Sequence, residues 1–270
     1  MSAQPLSTVE GYVDIGGGRI HYLDQGEGTP VLLVHGAFGS GSTFLQNTFA
    51  ASLARGHRLI APDSLAHGGS SSPTEQERYG ARARAAHLEA VLDTLDIERA
   101  HVVGYSMGGW MASALAAFHP GRIASLAIGG WDVADGMYTP AAAWDLPKIT
   151  YEILSAMVRR ERPDLVAWVT PEREPGLAAA VNAMNDLDGL ADGVARCPAP
   201  VALWIGQGDL YHDAGRRFAE AQGRSFISLP GDHMSVLDEH GVEAARRVAA
   251  FIEQAAAPGG APASQNRTGH

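Results

Sequence analysis

The chain has 270 residues, of which 46% are hydrophobic and 19% charged, with a formal net charge of -10, enough to bury the core of one large α/β domain. Its acidic and basic residues are scattered, which leaves no nucleic-acid footprint and no polybasic membrane patch, so the expected partner is a small neutral or hydrophobic molecule. The single cysteine, Cys197, excludes an internal disulfide and reads as a packing residue. No apolar run approaches the ~20 residues of a membrane span and the first residues lack the regions of a secretion signal, so the expected location is cytoplasmic.

Thr8 to Ile15 and Arg19 to Asp24 alternate apolar and polar residues around Gly16, Gly17 and Gly18, which predicts two antiparallel strands at a sheet edge. The apolar run PVLLVHG is too short for a buried helix and reads as a strand covered on both faces, ending in His35 to Gly39. A helical stretch over Thr43 to Arg55 leads to a second buried strand, HRLIAPD, and the loop SLAHGGSSSP. Tyr79 to Leu95 has a helical period, with Arg82 and Glu89 left for the outer face.

The stretch Ala100 to Trp110, AHVVGYSMGGW, carries the strongest chemical signal. A β-branched run ends in small residues and turns directly into the apolar helix MASALAAF, which places Ser106 at the tip of a sharp reversal. Glycines two before and two after the serine are needed because a Cβ there would collide with neighbouring strand or helix; the pattern is the G-x-S-x-G nucleophile elbow. Strand RIASLAIGG follows, and the repeated alternation with crossover lengths predicts an α/β fold with a mostly parallel sheet and helices on both faces.

From Trp131 to Arg196 the alternation lapses. Helical stretches at Ile149 to Arg159 and Gly176 to Asn185, broken by five prolines, predict a helical insertion over 131–196 within a main body of 1–130 and 197–257. Its Trp131, Met137, Tyr138, Trp144, Met157, Trp168 and Met184 can line an apolar cavity or dock the insertion on the main body; Trp131, Met137 and Trp144, with Phe38, are the expected substrate contacts. The alternation resumes with APVALWIGQGD ending at Asp209, a helix at Ala214 to Gln222, the strand RSFISLPG, a loop carrying His233 and an amphipathic helix at Val242 to Ala255. The last stretch, 258–270, lacks large apolar residues and is expected to be disordered.

A serine hydroxyl is a poor nucleophile unless a base takes its proton, and the base needs a third group to fix its tautomer. Ser106, Asp209 and His233 all follow predicted strands and would project at the carboxyl edge of the sheet. Asp132, Asp213 and Asp232 compete with Asp209 for the acid, Asp132 most seriously because it follows the strand RIASLAIGG.

With VHGAFGS, APDSLAHGGSSSP, GYSMGG and WIGQGD followed by PGDHM in register, the chain resembles the α/β-hydrolase family from Val9 to Ala255, in its serine hydrolase, carboxylesterase-like branch, and Ser106, Asp209, His233 is the order that family uses. The resemblance implies a central sheet with a cap inserted before the strand that carries the acid. It also implies an oxyanion hole from the backbone N–H groups of Ala37 and Met107, and loop-fixing roles for His35 and His67. Two departures stand out: Ala66 occupies a position where relatives often have glycine, and VHGAFGS lacks the proline of the epoxide-hydrolase and haloalkane-dehalogenase branches, whose nucleophile is an aspartate. The expected activity is hydrolysis of small to medium carboxylic esters through an acyl-enzyme, by a monomer or homodimer, with no cofactor and no metal. The alternatives are a carbon–carbon bond hydrolase, lactonase or perhydrolase on the same triad, or a ligand-sensing receptor. A histidine base predicts a loss of activity on acidification with an apparent pKa near the ordinary ~6.5.

Overall fold

The computed structural model of the protein describes residues 7–257; the expected disordered tail at 258–270 lies outside them. Eight strands form one sheet in the order β1-β2-β4-β3-β5-β6-β7-β8. The edge hairpin is β1 (Thr8–Asp14) and β2 (Arg19–Gln25), paired antiparallel, and β2 pairs antiparallel with β4 (His57–Pro62). From β4 onward β3 (Thr29–Val34), β5 (Ala100–Tyr105), β6 (Ile123–Gly129), β7 (Val201–Gly206) and β8 (Ser225–Leu229) all run parallel. The parallel strands therefore deliver their C-terminal loops to one edge of the sheet.

Strand periodicity divides the core into two layers. Leu32, Val34, Val102, Leu126, Ile128, Leu203 and Ile205 face one way, under α3 (Ala81–Thr94), α4 (Met107–Phe118), α8 (Leu190–Arg196) and α9 (His212–Ala221). Val31, Leu33, Val103, Ala127 and Trp204 face the other, under α1 (Gly41–Gln46), α2 (Thr48–Leu53) and α10 (Gly241–Ala256). The order β4-β3-β5-β6 reverses the winding direction between β3 and β5, and that switch point opens a crevice at the carboxyl ends of the two strands.

Local chemistry corrects the sequence reading in several places. Thr43 to Arg55 is not one helix: Asn47 takes an extended conformation and its side chain accepts from the Ala50 N–H, ending α1 and capping α2. The Tyr79 to Leu95 helix starts later, because Gly80 is extended and a 3₁₀ turn at Gln76–Tyr79 precedes α3. Arg84, one turn from the core-facing Leu88, is fully buried with its guanidinium over the Tyr79 ring, 4.9 Å from the centroid. Between β6 and β7 run α5 (Tyr138–Ala143), α6 (Tyr151–Glu161), a 3₁₀ turn at Pro163–Val166, α7 (Glu174–Ala183) and α8. Of these, α8 packs on α4 in the main body, where Gly193 lies against Ala117. No described helix is long and apolar enough to cross a membrane.

Candidate active site

Ser106 sits between β5 and α4 with φ 57° and ψ -118°. This is a conformation that L-residues occupy only when their surroundings impose it. The imposition comes from packing: a Cβ on Gly104 would strike the Gly108 carbonyl, and one on Gly108 would strike the Val34 carbonyl. Only glycine at both positions lets α4 start this close to β3 and β5. The turn is also pinned by the Ser106 N–H, which donates to the Gly129 carbonyl at 2.9 Å. Among the described residues the Met107 N–H, first in α4, has no hydrogen-bond partner, so it is a free donor at the positive end of a helix.

The second free donor comes from the loop after β3. The Gly36 carbonyl is engaged by the Gly39 N–H at 3.1 Å and by His35 Nδ1 at 2.7 Å. The Ser64 N–H donates to His35 Nε2 at 3.0 Å, so the proton of His35 is on Nδ1. Burial lowers the pKa of His35, which keeps it neutral in this role. Because carbonyl and N–H point oppositely across a trans peptide, fixing the Gly36 carbonyl on the loop side turns the Ala37 N–H away from it. The Ala37 N–H has no partner among the described residues.

Asp209 follows β7 and His233 follows β8. Asp209 is buried; its Oδ1 accepts from the Tyr211 N–H at 3.0 Å and its Oδ2 lies 2.7 Å from His233 Nδ1. The three competing carboxylates are engaged elsewhere. Asp132 is buried and accepts from the N–H groups of Ala134 and Asp135 and from the Thr139 hydroxyl. Asp232 caps its own turn through Met234, Ser235 and the Ser235 hydroxyl. Asp213 pairs at the surface with Arg216.

Burial pulls the pKa of His233 down, but the charge and hydrogen bond of Asp209, aided by Asp232, overcome it, and the result is a pKa above the ordinary histidine value. This corrects the expectation of an unshifted base. The His233 carbonyl accepts from the Tyr105 hydroxyl at 2.8 Å, so the residue just before Ser106 anchors the histidine loop. Burial raises the Tyr105 phenol well above its usual pKa, and it stays a donor at every physiological pH.

Ser106, His233, Ala37, Phe38 and Tyr105 line one cavity of about 410 Å³. Among the described residues no hydrogen bond joins Ser106 Oγ to His233, a contact that in ligand-free sites is often longer than in the reacting complex. Phe44, Leu154, Val158, Leu165, Met234 and Leu237 make the wall largely apolar, with Thr43, Gln46, Asn47, Arg162 and Asp238 among the polar lining residues. Arg162 is already held by Asp164 through a pair of bonds at 3.0 and 2.8 Å.

Of the insertion residues expected at the substrate, Trp131 and Met137 are buried and Trp144 is exposed, and none of the three is among the cavity-lining residues. Trp131 packs on Tyr211, and Met137 Sδ accepts from the Tyr211 hydroxyl, so both dock the insertion on the loop that carries Asp209. The insertion reaches the cavity instead through Leu154, Val158, Arg162 and Leu165. Leu154 and Val158, four residues apart, share one face of α6, and Arg162 and Leu165 follow where the helix ends and in the 3₁₀ turn after it; that i, i+4 pair is the signal a reading based on side-chain size passes over. Ala66, in the position where glycine is common, has φ 69°, the left-handed region that glycine enters most easily. His67 is fully buried with Nδ1 on the Leu65 carbonyl at 3.0 Å, and burial holds its pKa well below the ordinary value.

Comparison with known proteins fits this architecture. A 2-hydroxymuconate semialdehyde hydrolase of Pseudomonas sp. (strain CF600) is 40% identical over 114 residues, 42% of this chain and 40% of that protein. A 2-hydroxy-6-oxo-2,4-heptadienoate hydrolase of Pseudomonas putida is 36% identical over 129 residues, 45% of this chain and 46% of that protein. These matches span less than half the length of the curated relatives. Among solved structures, the enol-lactonase from Burkholderia xenovorans has a TM-score of 0.71 at 23% identity, covering 90% of this chain and 100% of that one. The meta-cleavage product hydrolase from Pseudomonas fluorescens has a TM-score of 0.71 at 23% identity, covering 91% and 98%. At that identity the two structures speak for the fold alone. The model of the alpha/beta hydrolase fold family matches residues 29–198, well over half of the chain, and the protein is therefore a hydrolase-fold member of the α/β-hydrolase family.

Proposed function

We propose that the protein is a serine hydrolase that splits a bond beside an activated carbonyl in a small, largely apolar molecule, and that its preferred reaction is hydrolysis of a carbon–carbon bond in a vinylogous diketone acid. The observation that carries the serine-hydrolase reading is the His233–Asp209 pair at 2.7 Å, with His233 on the same cavity as the strained Ser106 and Ala37. The relatives named as hydrolases of 2-hydroxymuconate semialdehyde and 2-hydroxy-6-oxo-2,4-heptadienoate support carbon–carbon cleavage ahead of simple ester hydrolysis.

The 2-hydroxydienoate form of such a substrate first ketonises, its 2-hydroxyl proton moving to C5, so that C5 becomes the saturated carbon between the ketone and the enone. His233 Nε2 then takes the proton of Ser106 as Oγ attacks the ketone carbonyl. Asp209 holds the proton on Nδ1 and stabilises the imidazolium that forms. The negative oxygen of the tetrahedral intermediate is met by the N–H groups of Ala37 and Met107, each contributing on the order of 3 kcal/mol in the transition state. The C–C bond then breaks, its electron pair leaves on the dienolate fragment, and the imidazolium returns the proton to that fragment. Water, activated by His233, releases the acyl group from Ser106 by the same route in reverse. An ester or lactone follows the same steps with an alkoxide as leaving group, and the apolar wall of Phe44, Leu154 and Val158 favours that second reading for acyl chains without a carboxylate.

The test is a parallel kinetic comparison of 2-hydroxy-6-oxo-2,4-heptadienoate, p-nitrophenyl esters of increasing chain length and simple lactones. The proposal expects kcat/KM for the dienoate to exceed that of the best ester by at least about tenfold, the discrimination a few well-placed contacts supply. Rapid ester or lactone cleavage with no turnover of the dienoate overturns the carbon–carbon reading and leaves an esterase or lactonase.

A further inference from the structure

The oxyanion loop has a partner 130 residues away. The indole Nε1–H of Trp168, between the 3₁₀ turn at Pro163–Val166 and α7, donates to the Phe38 carbonyl at 2.9 Å. Phe38 is the one cavity-lining residue besides Ser106 that is not glycine and has a positive φ, 62°. Such a conformation persists only where neighbours over-determine it. The insertion supplies that constraint twice: the buried Phe38 ring lies against Tyr151 of α6, centroids 6.3 Å apart, and Trp168 holds the Phe38 carbonyl.

Trans peptide geometry extends the effect of that hydrogen bond to the reacting centre. The Phe38–Gly39 peptide accepts from Trp168 on its carbonyl side and, on its opposite side, donates through the Gly39 N–H to the Gly36 carbonyl at 3.1 Å. The Gly36–Ala37 peptide in turn presents the Ala37 N–H on the side opposite its carbonyl. The path is therefore Trp168 N–H to Phe38 carbonyl, Gly39 N–H to Gly36 carbonyl, then Ala37 N–H. Hydrogen bonds in such a chain polarise one another, and each fixes the plane of the next peptide.

We propose that Trp168 is a positioning residue for the oxyanion hole, which aims the Ala37 N–H through two peptide planes and makes a correctly aimed donor depend on the insertion being seated. The inference rests on the serine-hydrolase reading for its kinetic consequence, although the hydrogen-bond relay itself does not. Because the relay orients charge-stabilising groups rather than contacting the ground-state substrate, its loss should appear in kcat and in transition-state mimics, with little change in the binding of a product acid.

The experiment replaces Trp168 with Phe, which keeps a ring beside His67, now 5.9 Å from the indole centroid, and removes the donor. In parallel, benzothienylalanine at position 168 keeps the shape of the indole with sulfur in place of N–H. Both proteins are tested with p-nitrophenyl pentanoate, n-butyl trifluoromethyl ketone and pentanoate. The expected result is a fall in kcat of about tenfold, smaller than the 10² to 10³ for removing a donor outright. The inhibition constant of the ketone should rise by a similar factor, while KM and the pentanoate dissociation constant stay within about twofold. Hydrogen exchange at the Gly39 amide should be faster in both variants. An unchanged kcat and ketone affinity, or an equal loss of pentanoate binding, overturns the proposal. If wild-type turnover proves no faster than that of Ser106→Ala, the serine-hydrolase reading fails, and the Gly39 amide still decides the relay: unchanged exchange overturns it.

Discussion

Replacing Asp209 with Asn should cripple the enzyme through a tautomer, and the structure shows why the substituted side chain cannot escape by rotating. The Tyr211 N–H donates to Asp209 Oδ1 at 3.0 Å. An asparagine is held the same way, with its carbonyl oxygen on Tyr211 and its NH₂ turned toward His233 Nδ1. That nitrogen must then accept, so the imidazole proton moves to Nε2, the atom that takes the proton of Ser106 in the proposed reaction. In serine-protease triads the same Asp-to-Asn exchange lowers turnover by about 10⁴, and a similar fall is expected here, equivalent to roughly 5.5 kcal/mol of transition-state stabilisation. Folding should change little, because the new NH₂ to Nδ1 hydrogen bond replaces the old one. The assay is kcat on the best substrate of the panel, beside circular dichroism and a urea midpoint. Asp132→Asn provides the control: it weakens a buried cap on Ala134, Asp135 and Thr139, should lower stability by about 1 to 3 kcal/mol, and should leave turnover within a few-fold. An Asp209→Asn enzyme that keeps a tenth of wild-type activity, or an Asp132→Asn enzyme that is folded and inactive, refutes the reasoning.

Since Asp209 and Asp232 hold the pKa of His233 above its ordinary value, the acidic limb of kcat/KM should have its midpoint above about 6.5; a midpoint at or below that value removes Asp209 as an effective partner. The opposite sign applies to His87, whose pKa burial lowers to about 3. The unfolded chain takes up this proton near pH 6.5 and the native protein resists it, so stability present above that pH is lost as pH falls toward 3. The urea-derived stability should be about 1 to 2 kcal/mol lower at pH 5 than at pH 8 from this residue, and His87→Gln should flatten that part of the profile; an unchanged profile contradicts the assignment. Val158→Trp puts a large ring into the apolar wall of the cavity. It should lower kcat/KM for a p-nitrophenyl octanoate by about tenfold or more and that for the acetate by less than about threefold, whereas equal losses for both would place the acyl chain elsewhere.

The parallel strands and the elbow were legible because they depend on local rules. Short apolar runs such as PVLLVHG and AHVVGY, bounded by glycine, have the length and composition of strands covered on both faces, and a Cβ on Gly104 or Gly108 would meet backbone atoms directly. The insertion was legible as helical but not in what it touches. Size suggested Trp131, Met137 and Trp144, while the cavity wall is made by the modest side chains Leu154 and Val158, because which face of a helix looks into a cavity depends on its docking and not on residue volume. The break at Asn47 and the burial of Arg84 were missed for related reasons: a cap competes with helix continuation at a single residue, and a charged side chain on an apolar face carries no local mark of burial. The contacts Trp168 to Phe38 and Tyr105 to His233 link residues 130 and 128 apart. No periodicity can announce them.

Covalent capture asks whether Ser106 is a nucleophile. The native protein is incubated with a fluorophosphonate and digested, and the modified peptide is located by mass spectrometry. Stoichiometric modification of Ser106 is expected, at a rate that falls as His233 is protonated, with no modification of Ser106→Ala. Full activity after exposure to excess reagent, or a label on any residue other than Ser106, would contradict that role.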